Sequence, residues 1–194
     1  MSLFINFITV SRMIFGAIIF ALITRTEMYW FALILFFIAG ITDYFDGFLA
    51  RKYNLVSQIG EILDPIADKI LIIFLFFAIS INLDSYYIGF VSAIIISREI
   101  WVGALRDFNA RKQKLDATKV TFLAKIKTTT QLFTISTYLL GLALNTMLII
   151  LLADIMLFLS LIITFYTGYQ YTVNTFMTSH NPRTISTRID FDKK

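Results

Sequence analysis

The stretch Thr42–Lys69, TDYFDGFLARKYNLVSQIGEILDPIADK, carries Asp43, Asp46, Glu61, Asp64 and Asp68 in a chain with only 13 acids among its 194 residues. It is bounded by two apolar runs, Tyr29–Ile41 and Ile66–Ile81. Outward from these lie four more, at Ile8–Ile23, Tyr87–Ala104, Thr130–Leu144 and Met147–Tyr169. The chain is 58% hydrophobic and 15% charged, with a mean hydropathy of +0.76, whereas soluble domains carry about a quarter charged residues. A bilayer core roughly 30 Å thick needs about 20 mainly apolar residues per helical span. Backbone polar groups in lipid must bond within their own segment, so these runs are read as helices. The expected fold is an all-α integral membrane protein. Several runs are shorter than a full span, and they lengthen by absorbing flanking polar residues beside a protein-lined cavity.

The expected links are Thr24–Met28, Thr42–Pro65, Asn82–Tyr86, Leu105–Thr129 and a tight turn at Asn145-Thr146. Residues 1–173 read as the membrane domain and residues 174–194 as a polar C-terminal tail. Pro65 is expected in the first turn of the third helix, where its missing N–H matters least. The first run lacks a basic leader and is interrupted by Arg12, so it is kept in the mature protein. Of the 17 Lys and Arg residues, all except Arg25 fall on one side of the alternating spans. By the positive-inside rule both termini and the two long links face the cytoplasm. The net charge of +4 is thereby an orientation signal, and no nucleic-acid partner is expected.

The chain has no cysteine, and its one histidine, His180, lies in the polar tail. Thiolate chemistry and His-based triads or metal sites are therefore set aside. Metal or acid–base chemistry must use carboxylates, which favour hard cations such as Mg²⁺ or Mn²⁺. Asp43 and Asp46 are three residues apart, and Asp64 and Asp68 four apart. Each spacing puts a pair on one helical face. Like charges so close are destabilising, and so is desolvation near a bilayer. One or two divalent cations would reverse both penalties. Solvated acids beside helix ends are the plainer alternative, and Glu61 is read that way. Gly47 and Ala50 share the face of the first pair, and Gly60 that of the second, which leaves room for a ligand or a neighbouring helix.

The pattern Asp43-x2-Asp46-Gly47-x2-Ala50-Arg51-x8-Gly60-x3-Asp64-x3-Asp68 resembles the signature of the CDP-alcohol phosphatidyltransferases at every fixed position. The resemblance implies six transmembrane helices, a homodimer and a polar cavity open to the cytoplasm, in a bacterial cytoplasmic membrane. It implies that Asp43, Asp46, Asp64 and Asp68 hold two Mg²⁺ or Mn²⁺ ions at the pyrophosphate of a CDP-linked lipid. Gly47, Ala50, Arg51 and Gly60 would line the nucleotide side. Asp68 would be the general base for the acceptor alcohol, with CMP as the leaving group.

A second constellation bears on the acceptor. Arg98 ends an apolar run, where a cation must snorkel, pair or bind an anion. Arg106 lies eight residues on, near the same helical face. Lys125 and Lys127 approach the following helix from the same side. Together they are expected to form a pocket for a second phosphate. Arg111, Lys112 and Lys114 read instead as headgroup anchors. Arg98-Glu99, Ala104-Leu105-Arg106 and Lys125-x-Lys127-Thr128-Thr129-x-Gln131 look like the phosphatidylglycerophosphate synthase branch of the family. Asn6-x-x-Thr9-x-x-Arg12 does so too, and by that resemblance Asn6 and Thr9 belong to the CDP-lipid site. The sequence departs from the branch at Ile5, where proline is common, and at Ala124, where glycine is.

The branch implies transfer of the phosphatidyl group from CDP-diacylglycerol to sn-glycerol 3-phosphate. Serine or inositol phosphate as acceptor is the nearest alternative. A small cation transporter is the alternative from another class, but it predicts acids at mid-membrane. Of the acids only Asp154 sits inside an apolar run, and it is read as a buried structural group or dimer contact.

Overall fold

The computed structural model describes the backbone of residues 2–52, 58–112 and 122–180, and the side chains of residues 10–42, 63, 66–112 and 126–177. Among the described residues the regular structure is all helical: α1 Ser2–Arg25, α2 Tyr29–Lys52, α3 Gln58–Asn82, α4 Tyr86–Arg111, α5 Phe122–Ala143 and α6 Met147–His180. Each helix carries one of the six apolar runs, with only Leu144 falling past the end of its helix, and extends it into polar sequence. The long links are correspondingly shorter than expected. Asp43, Asp46, Gly47, Ala50 and Arg51 belong to the last part of α2, and Gly60 and Asp64 to the first part of α3. Counting apolar residues stops at the first acid, whereas backbone hydrogen bonding runs on through polar side chains. Pro65 accordingly lies more than one turn inside α3 and not in its first turn. The stretch from Asn174 is likewise helical as far as His180.

Three short reversals join the helices at one end. Glu27, Asp84 and Asn145 take the left-handed conformation there, with φ of 54°, 47° and 49°. At the second reversal Ser85 N–H donates to Ser80 O at 3.0 Å, and at the third Thr146 N–H donates to Gly141 O at 3.0 Å. These are the six-to-one bonds that close a helix whose last residue turns left-handed. Ser85 then caps α4, its hydroxyl accepting from Ile88 N–H at 3.3 Å. Such tight turns leave consecutive helices antiparallel. The opposite end therefore collects the starts of α1, α3 and α5 and the ends of α2, α4 and α6.

The helices pack in the cyclic order α1, α3, α4, α6, α5, α2, with α2 returning to α1, and α3 also meets α5 across the ring. The core joins Ile19 and Ile23 of α1, Leu75 and Ile79 of α3, Ile88 and Ile95 of α4, and Ile135 and Leu139 of α5. Two glycines permit close approach. A Cβ on Gly141 would stand 2.9 Å from Ile150 Cγ1, and one on Gly16 would stand 3.4 Å from Leu71 Cα. Outward-facing positions remain apolar, among them Phe31, Phe90, Leu148, Leu152, Phe165 and Phe176. Apolar exposure on that scale marks a membrane or partner surface. Among the described residues, Tyr86–Arg111 and Met147–Met177 are long and apolar enough to cross a membrane, while Tyr29–Thr42 is apolar but shorter.

Candidate active site

A cavity of about 480 Å³ opens among α3, α4 and α5. Asp68 and Lys69 enter from α3, Arg98, Glu99 and Arg106 from α4, and Lys127 and Gln131 from α5. The helix directions explain the grouping. Asp68, Lys69, Arg106, Lys127 and Gln131 lie in the half of the bundle where α3 and α5 begin and α4 ends, and Arg98 and Glu99 lie at the middle of α4. Ile72, Ile73, Ile95 and Ile96 form the apolar wall.

Glu99 is the electrostatic centre of the basic cluster. Its Oε1 accepts from Arg98 Nη1 at 3.2 Å and forms a short ion pair with Lys127 Nζ. The Arg98 and Lys127 side chains are only 8% and 7% exposed, against 22% for Glu99. Cations this buried need paired charge and hydrogen bonds, and Glu99 supplies both to two of them. Arg98 also donates from Nη2 to Thr167 Oγ1 at 2.5 Å. Its stem lies across Gly168, where a Cβ would come within 3.0 Å of Nε and 3.1 Å of Cγ. The missing side chain at Gly168 is thus what lets Arg98 pass along α6. Arg106 donates to the Tyr171 hydroxyl at 3.2 Å, with its guanidinium 5.2 Å from the ring centroid. That geometry combines a hydrogen bond with a cation–π contact. Asn109 to Thr175 at 2.8 Å and Trp101 to Thr172 at 3.0 Å continue the same α4–α6 seam.

Asp68 joins the cavity lining from α3. Its Oδ1 accepts from Arg12 Nη1 at 2.5 Å. The Arg12 side chain is 2% exposed and that of Asp68 50%, so a buried guanidinium on α1 fixes a carboxylate that still faces the cavity. Lys69 sits beside Gly103, where a Cβ would stand 3.3 Å from Nζ.

The structure thus brings Asp68, Arg98, Arg106 and Lys127 to one cavity. The side chains of Asn6, Thr9, Asp43, Asp46, Gly47, Ala50, Arg51, Gly60, Asp64 and Lys125 lie outside the described residues, as does Lys114 altogether. Among the described residues no three His, Cys, Asp or Glu side chains gather as a metal site, Asp68 being the one expected ligand whose side chain is described. Sequence reasoning missed Arg12 as the partner of Asp68, and Thr167, Gly168 and Tyr171 as the supports of the arginines. A signal for the supports was present. Thr164, Thr167, Tyr171 and Thr175 recur at helical spacing and are all buried, a polar stripe within an apolar helix. Asp154 does not line the cavity, and its Oδ1 accepts from the Tyr138 hydroxyl at 2.5 Å. The Tyr87 hydroxyl donates to the Asp154 carbonyl oxygen at 3.3 Å. Asp154 is thus a half-buried, hydrogen-bonded residue of α6 that meets Tyr138 of α5 and Tyr87 of α4.

Comparison with known proteins adds two findings. The family model described as CDP-alcohol phosphatidyltransferase matches residues 3–172. A curated relative from Escherichia coli (strain K12), named CDP-diacylglycerol–glycerol-3-phosphate 3-phosphatidyltransferase, is 38% identical over 101 residues, covering 52% of this chain and 56% of its own. Relatives of the same name in Shigella flexneri serotype 5b (strain 8401) and Shigella sonnei (strain Ss046) match with the same identity and coverage. The chain spans about half the length of the curated relatives it matches. The family match, by contrast, takes in the cavity lining, the Asp-rich helices and most of each of the six helices. The chain belongs to the CDP-alcohol phosphatidyltransferase family.

Proposed function

We propose that the protein transfers the phosphatidyl group of CDP-diacylglycerol to sn-glycerol 3-phosphate, giving phosphatidylglycerol phosphate and CMP. The observation that carries this reading is the cavity, whose lining combines Asp68 with three cations suited to a phosphate, Arg98, Arg106 and Lys127. An acceptor bearing its own phosphate gives that cluster a purpose, and the names of the relatives agree with it. In this reading Arg98 and Arg106 offer guanidinium donors to the acceptor phosphate, and Lys127 adds a point charge. Glu99 keeps the first and third of these cations in place. Asp68, oriented by Arg12, takes the proton from the acceptor hydroxyl. The freed oxygen forms its bond to the lipid-side phosphorus as the bond to CMP breaks.

The donor site is assigned to the Asp-rich helices. Asp43 and Asp46 on α2 and Asp64 and Asp68 on α3 form an all-oxygen donor set at three- and four-residue spacings. That set fits two Mg²⁺ or Mn²⁺ ions. When bound, such ions supply charge neutralisation at the pyrophosphate. Gly47, Ala50, Arg51, Gly60, Asn6 and Thr9 are assigned to the CDP-lipid side. The six helices are read as six spans of a bacterial cytoplasmic membrane, with the Arg111–Phe122 end of the bundle cytoplasmic, and the protein as a homodimer in that membrane.

The test is an acceptor panel with purified protein, CDP-diacylglycerol and Mg²⁺ or Mn²⁺. CMP release with sn-glycerol 3-phosphate but not with serine or inositol phosphate is the expected result. Release only with another acceptor overturns the substrate assignment, and no release with any acceptor overturns the activity.

A further inference from the structure

Gln131 is 2% exposed and lines the cavity, yet its buried Nε2 has no hydrogen-bond partner. A buried amide left unpaired is destabilising, and native structures rarely tolerate one without a use for it. Its position is informative. On α5, Gln131 lies one turn beyond Lys127, away from the basic end of the bundle. One turn beyond Asp68 on α3 is Ile72, and about one turn from Arg98 on α4, in the same direction, is Ile95. A helical turn rises about 5.4 Å, so the inner layer of the cavity pairs these aliphatic walls with a single amide.

We propose that Gln131 reads the central hydroxyl of the acceptor and so determines specificity for a three-carbon polyol phosphate. The inference rests on the phosphatidyltransferase reading above. Of the acceptor's polar groups, the phosphate is matched by Arg98, Arg106 and Lys127, and the attacking hydroxyl by Asp68. The secondary hydroxyl is what is left, and it needs a neutral partner. A hydroxyl both donates and accepts, so it satisfies an amide in either orientation. Ile72 and Ile95 of the same layer offer no hydrogen bond, so the amide has no protein partner when the hydroxyl is missing. Sites built to bond a hydroxyl discriminate strongly against analogues that lack it.

The experiment compares sn-glycerol 3-phosphate with 3-hydroxypropyl phosphate, its analogue without the central hydroxyl, using the full chain, CDP-diacylglycerol and Mg²⁺. The wild-type protein is expected to lose about tenfold or more in kcat/KM on the deoxy acceptor. Gln131→Met, close in size, should lower kcat/KM for glycerol 3-phosphate by a similar factor. It should leave the deoxy acceptor within about threefold, so that the preference collapses. Wild-type discrimination below about threefold overturns the proposal, and so does an equal fall on both acceptors in the variant. Those outcomes leave the transferase reading standing. No CMP release by the wild-type protein on either acceptor overturns that reading, and this inference with it.

Discussion

Glu99→Gln removes the carboxylate that Arg98 and Lys127 share while keeping the shape of the side chain. At the 3.2 Å separation of Glu99 and Arg98, a unit charge pair is worth about 5 kcal/mol at an effective dielectric near 20. Much of that offsets desolvation, and breaking a buried pair typically destabilises by about 3–5 kcal/mol. Glu99 is 22% exposed, which places the expected loss near the lower end, about 3 kcal/mol. In a chain of 194 residues each kcal/mol moves a thermal midpoint by about 2–4 °C, so the drop should be about 6–12 °C. The assay is thermal unfolding of purified protein in detergent, with and without sn-glycerol 3-phosphate. A bound phosphate returns negative charge to the two stranded cations, so the ligand should raise the midpoint of Glu99→Gln more than that of the wild type. An unchanged midpoint without ligand would refute the idea that Glu99 balances these cations. Equal stabilisation of both proteins by the ligand would show that the anion does not bind where Glu99 acts.

Other perturbations separate binding from support. Arg106→Ala should raise the acceptor KM roughly 10- to 150-fold, the loss expected for a charge-assisted hydrogen bond, with the CDP-diacylglycerol KM unchanged in steady-state assays. Gly168→Ala forces a Cβ to within 3.0 Å of Arg98 Nε. The displacement should cost about 1 kcal/mol, read as about a fivefold rise in acceptor KM at near-constant kcat. Tyr138→Phe deletes the 2.5 Å bond to Asp154. It should destabilise by about 2 kcal/mol in thermal unfolding, while CMP release at saturating substrates stays at the wild-type rate.

The helices were legible because runs such as Tyr87–Ala104 and Met147–Tyr169 are too long and apolar to be anything else. Their ends were not. Asp43, Asp46 and Arg51 read as a link, yet α2 carries them, because a polar side chain does not by itself interrupt a backbone ladder. Arg98, Arg106 and Lys127 were legible as a group because cations at the edge of an apolar run need an explanation. Their partners were hidden for a different reason. Thr167 and Tyr171 pass as filler in a hydrophobic span, and Gly168 matters only through the side chain that crosses it. Arg12 is 56 positions from Asp68, and no local pattern announces a contact at that separation. Gln131 closes the Lys125-x-Lys127-Thr128-Thr129-x-Gln131 pattern, but its burial and its unpaired nitrogen belong to the tertiary structure alone.

The claim that Asp68 works at the acceptor, in the cavity it shares with the cations, is tested most directly by Asp68→Asn with Asp43→Asn as its control. CMP release with sn-glycerol 3-phosphate and binding of CDP-diacylglycerol are measured on both. The account predicts that Asp68→Asn abolishes CMP release and leaves nucleotide-lipid binding largely intact, while Asp43→Asn weakens binding. Sustained CMP release by Asp68→Asn, or a loss of binding equal to that of Asp43→Asn, would contradict it.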